Sequence, residues 1–388
     1  MTPYATRPTR WRPAPYAARS AQAQYGPINI HAPIIPRPAS NLPFDQQKSI
    51  QQLPFANPQD PPFVFAQKSI QRLEYAAGNS YAPQTNRNYD AAIKRYLLFT
   101  SRCGVPPSVA LPSPPYLVAL WIASGLGDTG PGTAKNNLAA LGSWHKTRGI
   151  PFETPIQMAT IQRSIKLHWP GSKRKPPRPP ITPAMIRLLA QEWQDGSTRQ
   201  LCALAIALTA WGGQLRLGEI VPPSSRQLDR QRLPTRDHWS ASPLSPKASR
   251  IKLPWTKTTG SDGATVHLIE QVYPFDPSQA LYRHLRGSPL APSSLICEYR
   301  AGSSSKILDK VTLMDMCNKV WSKQGIARIT GHSFRIGGTT ALLRNGVDPE
   351  VVKQMGRWSS NAFHLYWRNL EEIFTTHASR IDWVDFVF

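Results

Sequence analysis

Two stretches decide how this chain is read: Gly331-His332-Ser333-Phe334-Arg335, and Gly337-Gly338-Thr339-Thr340-Ala341 directly after it. His332 and Arg335 stand three residues apart, so a helix begun here sets both on one face. The small residues that follow let such a helix pack closely. Downstream runs Gly356-Arg357-Trp358-Ser359-Ser360-Asn361-Ala362-Phe363-His364-Leu365-Tyr366. Upstream, Gly213-Gln214-Leu215-Arg216-Leu217-Gly218-Glu219 follows an apolar stretch and puts Arg216 and Glu219 at i, i+3. Thr256-Lys257-Thr258 sits at the tip side of a predicted hairpin. Alone, Arg216–Glu219 is an ordinary helix ion pair and Lys257 a solvated charge. Their order along the chain carries the meaning.

Working outward, residues 181–388 read as one larger domain. Helices are predicted at 183–194, 198–211, 277–286, 312–323, 333–345, 349–356 and 361–372. Arg250-Ile251-Lys252-Leu253 and Ala264-Thr265-Val266-His267-Leu268 alternate with period two around Gly260-Ser261-Asp262-Gly263, a β-hairpin pattern. Nothing alternates βαβ, so a doubly wound nucleotide-binding sheet is not expected. The fold class is mainly α with a small β-sheet. The sequence contains no GxxxxGK[ST] and no DxD-type acidic cluster. That argues against an NTPase and against two-metal phosphoryl transfer.

Residues 171–180, Gly171-Ser172-Lys173-Arg174-Lys175-Pro176-Pro177-Arg178-Pro179-Pro180, hold four basic residues, four prolines and no acid. Proline keeps such a segment extended, and its charge suits a phosphate backbone. Lys173, Arg174, Lys175 and Arg178 are therefore expected DNA contacts on an interdomain linker. Residues 66–170 read as a helical domain. Thr85 is the expected N-cap of a helix carrying Tyr89, Ile93, Tyr96 and Leu97. A second helix follows Pro114-Pro115, a third is expected to be capped by Thr133, and a fourth spans about 156–167. Between 68 and 169 there are 11 basic and 4 acidic residues, and Lys135 and Lys146 are further expected DNA contacts. Residues 1–65 hold 13 prolines and read as a disordered tail.

The whole chain of 388 residues carries a formal charge of +23 and a pI near 10.2. Such a balance points to a polyanionic partner, nucleic acid ahead of membrane. Cys103, Cys202, Cys297 and Cys317 form no CxxC pair, which excludes a cysteine zinc site and a disulfide scaffold and suggests a reducing compartment. No apolar run reaches the roughly 20 residues a membrane span needs, and no signal peptide is visible at the start. A soluble intracellular protein is expected.

The series Arg216, Lys257, His332-x-x-Arg335, Trp358, Tyr366 resembles the active-site series of tyrosine recombinases, the phage-integrase family. The resemblance covers roughly 68–388, and the gaps of 23 residues from Arg335 to Trp358 and eight on to Tyr366 agree with it. Trp144-His145-Lys146 resembles eukaryotic mobile-element members, and Gly-x-Trp-Ser before the tyrosine is most similar to Crypton-type fungal recombinases. Most relatives carry histidine where this chain has Trp358.

The chemistry explains these residue types. Charge grows on the nonbridging oxygens of a phosphodiester under attack, and two guanidiniums, Arg216 and Arg335, can stabilise it with planar forks of donors. The resemblance makes Tyr366 the nucleophile that ends as a phosphotyrosine. His332 would donate to phosphate or handle the tyrosyl proton, and Lys257 would protonate the departing 5′-oxygen. Lys252 lies on the same hairpin, but the threonines flanking Lys257 match the family pattern better. Trp358 can only donate a hydrogen bond, and Glu219 would orient Arg216.

The resemblance further implies a two-domain, C-shaped DNA clamp: a helical core-binding domain at 66–170 and a catalytic domain at 181–388. It implies double-stranded DNA as partner, no cofactor and no metal. It also implies a homotetramer on two duplexes, with the apolar segment 381–388 docking on a neighbouring subunit. A eukaryotic source would place the protein in the nucleus, a bacterial one at the nucleoid in the cytoplasm. The alternatives are a type IB topoisomerase and a catalytically silent, transposon-derived DNA-binding protein.

Overall fold

The computed structural model describes residues 68–73, 75, 76, 79–243, 245–359, 363, 375 and 378. The expectations for the tail at 1–65, the helix at 361–372, Tyr366 and the segment 381–388 lie outside the described residues. The chain divides into two compact units, Met1–Arg174 and Lys175–Phe388, with the boundary inside the basic proline-rich segment.

The first unit is helical: α1 Pro83–Arg102, α2 Pro107–Ala110, α3 Pro115–Ala123, α4 Pro131–Lys146 and α5 Met158–Leu167. Proline opens the first four. Its fixed φ and missing N–H suit a position whose N–H has no helical partner. For that reason Thr85 and Thr133 are not the caps expected of them. Pro83 and Pro131 start those helices after Ala82 and Gly130, and both threonines fall inside. Tyr96, Val118, Trp121, Ile122, Leu141, Met158 and Ile165 form the core. The Tyr96 ring lies 5.1 Å from that of Trp121, and its hydroxyl donates to Ala110 O at 3.1 Å. His145 is part of this core. Its Nε2 accepts from Ser113 N–H at 2.8 Å, so Nδ1 carries the proton toward Leu141 O, also at 2.8 Å. Lys135 and Lys146 are exposed.

The segment 171–180 is not extended from its first residue. Gly171–Lys173 makes a 3-10 turn, because the Lys173 ammonium reaches Asp128 at 2.5 Å and Gly127 O at 2.9 Å. Arg174, Lys175 and Arg178 are exposed.

The second unit begins with α6 Pro183–Trp193 and α7 Thr198–Gly212. Ser197 and Gln200 make a capping box at the start of α7. Every residue from Cys202 to Ala210 in α7 is buried, so this helix is the axis of the core. Three antiparallel strands follow, β1 Trp239–Ala241, β2 Ala248–Leu253 and β3 Ala264–Ile269, in the order β1-β2-β3. The register pairs Ile251 with Val266 and Arg250 with His267. Ser249, Ile251 and Leu253 turn inward with Val266 and Leu268, the alternation read from the sequence. The predicted hairpin is present, and β1 extends it. After α8 Pro277–Gly287 comes a second hairpin, β4 Glu298–Ala301 and β5 Ser304–Ile307, then α9 Lys310–Ser322, α10 His332–Arg344 and α11 Pro349–Met355.

Two glycines set how closely α10 approaches its neighbours. A Cβ on Gly337 would lie 2.1 Å from Ile181 O, and one on Gly338 would lie 1.9 Å from Trp211 O. Ile181 N–H donates to Ser333 O at 3.1 Å, and the Trp211 indole donates to Ile181 O at 2.9 Å. The start of α10 is thereby pressed onto the C-terminal end of α7. Among the described residues no helix is long and apolar enough to cross a membrane, and the four cysteines are free thiols.

Candidate active site

The site grows from the end of α7. After Gly212 the backbone turns at Gln214, a non-glycine residue at φ +50°, and Leu215 plugs into the core. Arg216 then stands just before a 3-10 turn, Leu217–Glu219. Glu219 is 2 % exposed and holds Arg216 twice: Oε1 accepts from the guanidinium at 2.9 Å and Oε2 from the backbone N–H at 3.0 Å. The sequence placed these two residues on one face, and the structure adds the backbone bond that fixes the turn. Arg216 remains a quarter exposed.

The close approach of α10 brings Arg335 to the same place. Its guanidinium donates to Gln214 O at 2.8 Å and to Gly356 O. The Thr339 hydroxyl bridges the same pair, 2.9 Å from Gln214 Oε1 and 2.8 Å from Arg335 O. Arg335 has no exposed surface at all. The guanidinium expected to offer its planar fork of donors to phosphate is gripped here by carbonyls from two loops and covered by a ring. That ring is Trp358, whose centroid lies 4.0 Å from Arg335 Cζ. Trp358 folds back over Gly356, where a Cβ would come within 1.4 Å of the indole, so only glycine is possible there. Its other neighbour is Phe363, at 5.3 Å between ring centroids.

His332 opens α10, half-buried, beside Gly331. Its pKa is lowered to about 4 by burial first and then by the positive charges of Arg178, Arg335, Arg216 and Lys310. The imidazole is therefore neutral at pH 7, able to accept a proton or to donate through its one N–H. Arg178, expected from sequence only as a backbone contact of the linker, belongs to this positive surrounding.

Lys257 lies in the turn between β2 and β3. Thr256 and Gly260 close the turn with paired backbone bonds of 3.1 and 3.0 Å, and the Thr256 hydroxyl accepts from Thr258 and Thr259 N–H. Lys257 and Lys252 are both exposed. Among the described residues no hydrogen bond or ion pair joins Lys257 to the arginines, so the structure brings together Arg216, Glu219, His332, Arg335 and Trp358. No group of three His, Cys, Asp or Glu side chains among the described residues could hold a metal.

Three residues went unassigned in the sequence. Gln214 supplies the carbonyl that fixes Arg335. Lys310, at the start of α9, adds to the field on His332. Arg357 reaches Glu219 Oε2, the oxygen that also accepts the Arg216 backbone N–H, its guanidinium 3.0 Å away. Their signal was proximity to quoted motifs, and Gln214 and Arg357 lie inside them.

The fold built around this cluster has a known counterpart. The XerH site-specific recombinase, in its post-cleavage complex with palindromic difH substrate, superposes with a TM-score of 0.53 over 85% of this chain and 91% of that one, at 13% identity. This chain has the XerH fold. Two other structures match at a TM-score of 0.48 and 13% identity. One is XerH in its pre-cleavage complex, covering 82% of this chain and 90% of that one; the other is the Tn1549 transposon integrase with transposon right-end DNA, covering 82% and 98%. No protein-family model matches the sequence, and no curated protein does.

Proposed function

We propose that this protein is a site-specific DNA recombinase that cleaves and rejoins strands through a 3′-phosphotyrosine intermediate. One observation carries the reading: on the XerH fold, Arg216, bonded to the buried Glu219 carboxylate, comes from a distant part of the chain to join the positive surroundings of His332, where Arg335 also lies. Such a cluster is rich in donors and poor in acids, which suits a phosphodiester whose oxygens gain charge during attack.

In this reading the Tyr366 phenolate attacks phosphorus, the P–O bond to tyrosine forms, and the bond to the 5′-oxygen breaks. Lys257 gives that oxygen its proton. Arg216, the more open of the two arginines, donates to the nonbridging oxygens, and Arg335 joins it when Trp358 turns aside. Neutral His332 takes the tyrosyl proton or donates to phosphate. Rejoining reverses the steps with the 5′-hydroxyl of a partner strand, so no bond energy is lost and no cofactor is needed. Lys135, Lys146, Lys173, Arg174, Lys175 and Arg178 would hold phosphates on either side.

The proposal extends to organisation. The helical domain at 66–170 and the catalytic domain at 181–388 would clamp DNA, the linker at 171–180 lying along it. XerH sits on a palindromic substrate, and two-fold DNA of that kind would seat two protomers of this chain on each duplex. Two such duplexes make a tetramer, with 381–388 docked on the neighbour. A mobile-element role of Crypton type, and a nuclear location in a eukaryote, follow from the motif resemblance.

The test is covalent trapping. The protein is incubated with a pool of nicked suicide duplexes carrying a randomised centre, and adducts that survive boiling in detergent are collected and sequenced. Recovery of one enriched sequence, joined to protein, supports the reading. Tight DNA binding with no adduct in any pool contradicts it and favours a silent DNA-binding protein.

A further inference from the structure

Arg357 occupies a conformation that its residue type resists. Its φ is +57°, in the left-handed region where a Cβ crowds the following carbonyl. Strain of this kind persists only where the surroundings determine it. Here they do so from three sides. Trp358 is folded onto Gly356, the Gly356 carbonyl is held by Arg335, and the Arg357 guanidinium is directed onto Glu219. The same guanidinium lies 3.3 Å from Met355 O and 3.4 Å from Gly213 O, next to the turn that carries Arg216.

The consequence is one carboxylate shared by two cations. Glu219 Oε1 faces Arg216 and Oε2 faces Arg357, at 2.9 and 3.0 Å. With Arg216 as its sole partner, the buried Glu219 charge would cancel the charge of that arginine. Arg357, only 13% exposed and so withdrawn from solvent and substrate, balances the carboxylate from behind. Arg216 then keeps a net positive charge for an anion in front of it. Burial lowers the pKa of Arg357, and the Glu219 carboxylate, facing it, opposes that shift.

We propose that Arg357 is a positioning residue of the cleavage site: by balancing Glu219 it keeps Arg216 oriented and its charge available to the scissile phosphate. The proposal rests on the recombinase reading and adds a role that Trp358, one residue on, does not fill.

The experiment compares wild type, Arg357→Gln, Arg357→Lys, Glu219→Gln and the double variant Arg357→Gln/Glu219→Gln. All are measured for single-turnover adduct formation on the suicide duplex recovered above, for affinity on the same duplex, and for thermal unfolding. Arg357→Gln is expected to cleave about 10–100-fold more slowly with affinity changed by no more than about threefold. Arg357→Lys should restore cleavage to within about fivefold, since the charge is kept. The double variant should cleave faster than Arg357→Gln, because the uncompensated carboxylate is gone; losses that multiply would mean that the two residues act independently. Wild-type cleavage in folded Arg357→Gln, or multiplied losses in the double variant, overturns the proposal. If Arg357→Gln does not fold, Arg357→Lys decides: near-wild-type cleavage supports the role and a loss beyond about tenfold in a folded protein overturns it. A wild-type chain that forms no adduct overturns the recombinase reading itself, and this proposal with it.

Discussion

The guanidinium of Arg335 lies against the face of Trp358, 4.0 Å from its centroid, with no surface left to solvent. A buried cation in this position is stabilised by the ring's negative face and by the Gln214 and Gly356 carbonyls. Trp358 therefore does for Arg335 what a histidine could not do equally well: it offers a broad face and excludes water.

Replacing that face should cost stability before it costs chemistry. Trp358→Ala is expected to lose about 2–3 kcal/mol, from lost packing together with the cation–π contact. Trp358→Phe, which keeps a smaller ring, should lose about 1 kcal/mol. Urea denaturation of the two variants checks this, and equal losses would remove the stacking from the account.

His332 gives a prediction with a defined sign. Its folded pKa of about 4 lies below the ordinary value of 6.5, so the unfolded chain binds the proton more readily. The stabilising contribution is complete above pH 6.5 and declines as pH falls through 6.5 toward 4. His284, also lowered to about 4 by burial, acts in the same window. His332→Gln should therefore flatten the loss of stability between pH 6.5 and 4 without abolishing it. An unchanged slope in denaturation midpoints across that range would contradict the burial of His332.

Gly338 tests how α10 is seated. A methyl group there meets Trp211 O at 1.9 Å, and neither backbone can yield without displacing Arg335 from Gln214. Gly338→Ala should lower stability by about 3 kcal/mol and reduce cleavage, whereas Gly346→Ala, just past the C-terminal end of the same helix, should spare cleavage. Calorimetry and adduct formation on the two variants read this directly.

The spacing His332-x-x-Arg335 and the pair Arg216–Glu219 were legible because helical and turn geometry follow local spacing. The Arg250–Leu253 and Ala264–Leu268 hairpin was legible because one buried face forces alternation. The pair Glu298–Ala301 and Ser304–Ile307 was not, since Ser304, Ser305 and Lys306 show no apolar alternation to mark a strand. Thr85 and Thr133 misled because proline two residues earlier is the stronger helix start. The burial of Arg335 depends on carbonyls supplied 121 and 21 residues away, which no local pattern encodes. Arg357 was overlooked beside Trp358 because its role depends on a backbone angle of +57°, invisible in residue identity.

Whether this cluster serves a tyrosine nucleophile acting on DNA is read from adduct formation by Tyr366→Phe on the trapped suicide duplex. The variant keeps every charge of the site and lacks only the attacking oxygen. The account predicts DNA affinity within about twofold of wild type and no protein–DNA species surviving boiling. A wild-type yield of adduct from Tyr366→Phe would show that another residue attacks, and the assignment of the nucleophile would be wrong.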